Sequence, residues 1–202
     1  ILLNREYINL FKKAYPKTEK PEPWQIQNAL ASYVRSLNTF DSRFDEYMRG
    51  NKNALNKEEI EGMNLFMGKA KCATCHFTPL FNGTVPPSYS KTEHEVIGTP
   101  NEASGKTLSP DKGRYLYNEM PQLVGAFKTP TVRNAAVTAP YMHNGVFKTL
   151  EEVVDFYNKG GGKGLGLEVE NQTLPFDELK LTKNEEKALV TFMKTLTDKK
   201  YQ

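Results

Sequence analysis

The chain has 202 residues, room for one domain of ordinary size plus an extension. Its 27 Lys and Arg nearly balance 24 Asp and Glu, a formal net charge of +3. No basic cluster is interleaved with aromatics, which argues against nucleic-acid binding, and no apolar run approaches bilayer-spanning length. The chain begins at Ile1 without a secretory signal segment, so it is expected to be a processed chain or a fragment.

Leu2, Leu3, Tyr7, Ile8 and Phe11 fall at helical spacing ahead of Ala14-Tyr15-Pro16, which predicts a short amphipathic helix ending before the proline. A second helix is predicted from about Pro23 to Leu37. Its apolar stripe is Ile26, Ala29, Leu30, Tyr33, Val34 and Leu37, and Trp24 is read as a buried packing anchor at its start. The polar break around Gly50-Asn51-Lys52-Asn53 marks the expected boundary, with a helical extension over 1–50 and the main domain over 51–202.

Asn56 and Glu59 have capping-box spacing and open a helix with Ile60, Met63, Leu65, Phe66 and Met67. Gly62 inside that helix costs about 1 kcal/mol relative to Ala. Close approach by another helix would justify it, and the expected partner is the last one. That helix opens on a second capping box, Thr182 and Glu185, and carries Leu189, Val190, Phe192, Met193 and Leu196. The region between is loop-rich. Gly160-Gly161-Gly162 with Gly164 and Gly166 lacks the features of a phosphate loop and reads as a flexible turn after a helix.

The only two cysteines stand in Cys72-Ala73-Thr74-Cys75-His76, a C-x-x-C-H motif. Two thiols at this spacing reach the two vinyl groups of one porphyrin as thioethers, and the adjacent imidazole meets the iron as the proximal ligand. A redox C-x-x-C has no use for the histidine, and no βαβ pattern accompanies it. A zinc site needs two more ligands, and the remaining histidines, His94 and His143, lie far apart in sequence. A disulfide between Cys72 and Cys75 would close a very short loop and stabilise little. Thioether attachment is made outside the cytoplasm, so an extracytoplasmic, periplasmic location is expected. A helix leading into C-x-x-C-H and crossing a C-terminal helix resembles an all-α class I cytochrome c domain. Here it carries a loop-rich insert and an N-terminal helical extension.

Residues 127 to 157 go beyond a small cytochrome. Phe127-Lys128-Thr129-Pro130-Thr131-Val132-Arg133-Asn134, Thr138-Ala139-Pro140-Tyr141-Met142-His143-Asn144-Gly145 and Thr149-Leu150-Glu151-Glu152-Val153-Val154-Asp155-Phe156-Tyr157 resemble the C-terminal haem domain of the bacterial di-haem cytochrome c peroxidase and MauG family. His94-Glu95-Val96-Ile97-Gly98, Asp111-Lys112-Gly113-Arg114 and the helix Ala29–Leu37 with Phe40-Asp41-Ser42 fit the same pattern.

The resemblance implies two C-x-x-C-H motifs, one per domain, where this chain has one. The missing partner would be the N-terminal haem domain of the same protein, where hydrogen peroxide is reduced to water. Electrons would come from a donor redox protein or, in MauG-like members, from a protein substrate. For the sixth iron ligand the residues leave Met120 and Met142 as thioethers and Tyr157 as a phenol, and the resemblance selects Tyr157. Arg133 is expected to pair with a haem propionate, the alternative being a surface salt bridge. His143 is expected at the haem pocket, and His94 as a structural residue. The family's calcium would draw on carbonyls of Thr138 and Pro140. A reading of a different class is a standalone mono-haem electron carrier, with Met142 or Met120 on the iron.

Overall fold

A computed structural model describes residues 4–37, 40–175 and 177–202. The chain divides into two compact units, Ile1–Phe40 and Asp41–Gln202.

The first unit is a helical pair, α1 (Arg5–Ala14) and α2 (Pro23–Ser36). The Asn4 side chain caps α1, and α2 opens with proline at its first position and a Glu22–Gln25 capping box. Phe11, Tyr15 and Trp24 pack in sequence, with ring centroids 6.3 and 5.4 Å apart, and Gln25 Nε2 donates to Thr18 Oγ1 at 2.7 Å. Trp24 is not the buried anchor expected: it packs edge-on to Tyr15 and stays 52% exposed. The α2 stripe is likewise open, Leu30 at 60% and Val34 at 65%. Helical period dictates which face is apolar, not what covers it. Leu2 and Leu3 of the α1 stripe lie outside the described residues.

In the second unit, α3 (Arg43–Met48) precedes α4 (Lys57–Met67). Arg43 forks onto Glu59 at 2.6 and 2.7 Å and donates to the Ala54 carbonyl, tying α3 to α4. Asp41 N bonds Asp198 Oδ2. These bonds make the compact unit begin at Asp41, ahead of the polar break near residue 50. A two-stranded antiparallel ribbon follows, β1 (His94–Val96) with β2 (Ala126–Lys128), Glu95 facing Phe127. Three-residue strands leave no alternation to read, so this ribbon was invisible in a sequence expected to be all-α; the architecture remains helical.

Three helices complete the unit: α5 (Leu150–Asn158), the single turn α6 (Gly161–Gly164) and α7 (Lys183–Thr195). The predicted boxes Asn56–Glu59 and Thr182–Glu185 form, and Ser42–Asp45 at α3 and Thr149–Glu152 at α5 add two more. The core lies where α4 crosses α7. Phe66 sits 5.5 Å from Phe192 and 5.6 Å from Phe81, and Phe44 packs 5.1 Å from Phe81. Gly62 is at the crossing, as its cost implied: a Cβ there would stand 2.0 Å from the Ala188 carbonyl oxygen. The glycine run at 160–162 is buried rather than flexible. Gly162 N donates to Ile97 O at 3.0 Å, and a Cβ on Gly162 would meet Gly98 Cα at 2.7 Å.

Candidate functional site: a haem-sized cavity

After α4 ends at Gly68, Cys72–Thr74 forms one tight 3₁₀ turn. Cys75 N and His76 N both donate to Cys72 O, at 3.3 and 3.0 Å, which gathers the C-x-x-C-H residues into one corner. Cys72, Cys75 and His76 all line a cavity of about 680 Å³, within the size range of cofactor sites. Phe66, Leu150, Val153, Val154, Leu189 and Met193 give it apolar walls.

Both cysteines are free thiols. Burial pushes Cys72 up to about 12 and also raises Cys75, which Glu95 raises further. A redox-active pair needs the opposite shift, so the dithiol reading fails on electrostatics as well as on motif.

His76 Nδ1 lies 3.2 Å from the Phe81 carbonyl and 3.1 Å from the Pro130 carbonyl. Two acceptors require the proton on Nδ1, which leaves the Nε2 lone pair for a metal. Burial, partly opposed by these bonds, holds the imidazole below its usual value and therefore neutral, the ligating form.

Tyr157, near the end of α5, lines the same cavity and packs on Phe156 at 5.4 Å. Among the described residues its hydroxyl has no hydrogen-bond partner. Burial, with Cys72, Cys75 and Glu95 nearby, pushes its pKa above the usual phenol value, so phenolate would form there only against a cation. Thr129 Oγ1 is buried without a partner in the cavity wall. An apolar cavity carrying two thiols, a tautomer-locked imidazole and an unpaired phenol fits a covalently attached haem.

The other expected residues divide. Met142, His143, Thr138 and Pro140 all line the cavity. His143 stacks on Phe127 at 3.7 Å, with Nε2 3.0 Å from Ser109 Oγ. Met120 does not line it; it stands 46% exposed beside a 3₁₀ turn. His94 is structural: Nδ1 bonds Thr92 O at 3.1 Å, and Nε2 accepts from Arg114 at 3.0 Å.

Arg133 is neither at the cavity nor in a surface salt bridge. It is 5% exposed, forked onto Asp45 at 3.0 and 2.8 Å, and its Nε donates to Pro79 O. Asp45, 88 residues upstream, takes both terminal nitrogens of the guanidinium. Glu95, Lys128 and Thr129 line the cavity and were not singled out. Their signal lay in the quoted segments, but three-residue strands gave no facing. No group of three or more His, Cys, Asp or Glu side chains suited to a metal occurs among the described residues, and none of their helices is long and apolar enough to cross a membrane.

The Asp45–Arg133 pair predicts an acid response. Burial raises the Asp45 carboxyl, but hydrogen bonds from Arg133 and Ser42 and the Arg133 charge outweigh it and hold it below the usual range. A depressed folded value stabilises above the unfolded value of about 3.9, and that contribution is lost as pH falls through the folded value. Asp45→Asn is expected to cost about 3–5 kcal/mol near neutrality, where it strands a buried cation. The gap between variant and wild type should narrow below about pH 4. Denaturant titrations at stepped pH measure it, and a gap that stays constant would reject the pairing.

Fold and cavity together define a cytochrome c-type haem domain. The comparisons agree. The family model for di-haem cytochrome c peroxidase matches residues 1–53. The chain is 38% identical to cytochrome-c peroxidase IdrP1 of Pseudomonas sp. (strain SCT), over 95% of this chain and 54% of that protein. It is 32% identical to the methylamine utilization protein MauG of Methylorubrum extorquens, over 94% of this chain and 49% of that one. A solved MauG-like protein associated with microbial copper homeostasis superposes with a TM-score of 0.74 at 28% identity, covering 97% of this chain and 59% of that chain. The chain belongs to the bacterial di-haem cytochrome c peroxidase and MauG family. It spans about half the length of the curated relatives it matches.

Proposed function

We propose that this chain is the haem-c redox domain of a di-haem cytochrome c peroxidase or MauG-like oxidoreductase, exchanging electrons with a partner haem in an N-terminal domain. The observation that carries the reading is the tautomer-locked His76 together with Cys72 and Cys75 on one haem-sized cavity. When bound, the haem supplies a one-electron ferric–ferrous couple. Cys72 and Cys75 would hold it by thioethers, and His76 would offer Nε2 to the iron. Tyr157 would be the sixth ligand as phenolate, a hard donor that would favour the ferric state, its proton passing to solvent. The Phe127–His143 stack forms part of the wall.

Hydrogen peroxide is reduced to water at the partner haem, so this chain alone should show little or no peroxidase turnover. Robust turnover by it would refute the division of labour. Electrons enter from a donor redox protein or, as in MauG-like members, from a protein substrate. The extension expected over 1–50 is cut back to the first compact unit: residues 1–40 are assigned to the preceding haem domain, and the exposed α2 stripe supports this, since a larger partner would cover it. Thioether chemistry supports a periplasmic setting. Calcium would use carbonyls of Thr138 and Pro140, with the rest of its six to eight oxygens from elsewhere.

The second reading, a mono-haem carrier with Met142 on the iron, is kept because Met142 also lines the cavity. Ferric spectra separate the two. Wild type is expected to lack the weak far-red band of methionine-bound ferric haem, and Tyr157→Phe to change the ferric spin state while Met142→Leu leaves it alone. The reverse pattern would assign Met142.

A further inference from the structure

His76 can act as a defined ligand only while its Nδ1 proton is held, because that bond sets both tautomer and ring plane. Its acceptors, the carbonyls of Phe81 and Pro130, lie in irregular backbone. Three successive residues hold three successive carbonyls there: Val132 N donates to Phe81 O at 2.8 Å, Thr131 Oγ1 to Leu80 O at 2.7 Å, and Arg133 Nε to Pro79 O at 2.9 Å. The guanidinium also lies 5.6 Å from the Phe81 ring centre. Its two terminal nitrogens fork onto Asp45, whose Oδ2 accepts from Ser42 N at 2.9 Å and Ser42 Oγ at 2.7 Å. The charge pair thus braces the segment that carries the histidine's acceptor.

We infer that Asp45 and Arg133 are a positioning pair for the proximal histidine: they press the Phe81 carbonyl onto His76 Nδ1 and so set how strongly His76 donates to the haem iron. The inference rests on the haem-binding reading. A held Nδ1–H raises imidazole basicity, and a stronger donor favours ferric iron. Loosening residues 79–81 weakens the donor and favours the ferrous form. Loss of such outer partners costs roughly 10–100-fold in metal affinity or activity, and a change of similar scale is taken for the reduction equilibrium. The lower end is expected here, because the Pro130 carbonyl still accepts.

The test uses the haem-loaded chain as wild type, Arg133→Lys, Thr131→Val and, as a control for plain destabilisation, Val190→Ala in α7. Arg133→Lys keeps a charge beside Asp45 but loses the fork and the donation to Pro79 O. Thr131→Val removes two bonds, the donation to Leu80 O and the acceptance from Arg133 N, and leaves the Asp45–Arg133 charge pair in place. Haem content, unfolding midpoint, redox titration and the ferric low-spin electron paramagnetic resonance spectrum are read for each. Arg133→Lys is expected to shift the reduction equilibrium toward ferrous by about tenfold, 59 mV for one electron, with altered g-values. Thr131→Val should shift it less in the same direction, and Val190→Ala not at all. If Arg133→Lys and Thr131→Val titrate like wild type, or move only as Val190→Ala does, the inference is overturned. Should Arg133→Lys not fold, Thr131→Val decides alone. Wild type without c-type haem would sink the haem reading, and the pair's role with it.

Discussion

A Cys72→Ser, Cys75→Ser double variant is expected to emerge from a c-type maturation system with no covalent haem and without a cooperatively folded second unit. These are the only cysteines in the chain, so no other thiol can form a thioether. The structural consequence follows from size. Unfilled core volume costs about 24 cal/mol per Å³. The cavity of about 680 Å³ is partly open to solvent, so only its enclosed part carries that cost and the rest of its apolar wall is left wetted. Whole domains are stable by only about 5–15 kcal/mol. Phe66, Leu189 and Met193 would close inward and recover part of the loss, at the expense of fixed packing. Haem staining after denaturing electrophoresis, near-ultraviolet circular dichroism and dye binding to exposed apolar surface measure the outcome. A double variant that keeps a sharp unfolding transition at the wild-type midpoint would mean that the fold does not depend on the cofactor. The single variants should each keep one thioether and fall between.

Gly62→Ala carries the second large effect, and its sign opposes helix propensity. Alanine is the better helix former by about 1 kcal/mol, so in an exposed helix the change would stabilise. Here the new Cβ would stand 2.0 Å from Ala188 O, 2.6 Å from Ala188 C and 2.8 Å from Phe192 Cβ. Two of those atoms are α7 backbone and cannot rotate away. The helices must part, loosening Phe66 and Phe192 at the centre of the core, and overpacking of this kind costs about 1–3 kcal/mol. A net loss of about 2 kcal/mol would lower the melting temperature of a chain this size by about 4–8 °C. Thermal unfolding of the haem-loaded protein tests it, and a melting temperature equal to or above wild type would rule out so close a crossing.

The features legible from the residues are those whose physics is local. A cap needs a side chain three residues from the amide it satisfies, so Asn56–Glu59 and Thr182–Glu185 announce themselves. Thioether spacing is set by the porphyrin, so Cys72, Cys75 and His76 need no fold to be recognised. Gly62 sits between these cases: its cost is local, and it implied a close neighbour that proved to be Ala188.

Arg133 shows where such reading stops. A guanidinium in a haem-type segment suits a propionate as well as an aspartate, and only the folded chain brings Asp45 within 3.0 Å from 88 residues away. The glycine run at 160–162 has the composition of a flexible turn, yet its missing side chains serve contact with Gly98. Met120 and Met142 are equivalent as sulfur donors, and the path of the loops takes one to the surface and the other to the cavity. Cofactor, helix ends and the need for a close crossing are short-range properties of neighbouring residues, and they stand in the order of amino acids. Which donor faces the cavity, how the Pro130 carbonyl joins the nearby Phe81 carbonyl on His76 and what neutralises Arg133 depend on backbone segments brought together from far apart in the chain, 54 residues for His76 and Pro130. That closure is driven by burial of the core, and burial is non-directional and leaves no local mark on the sequence.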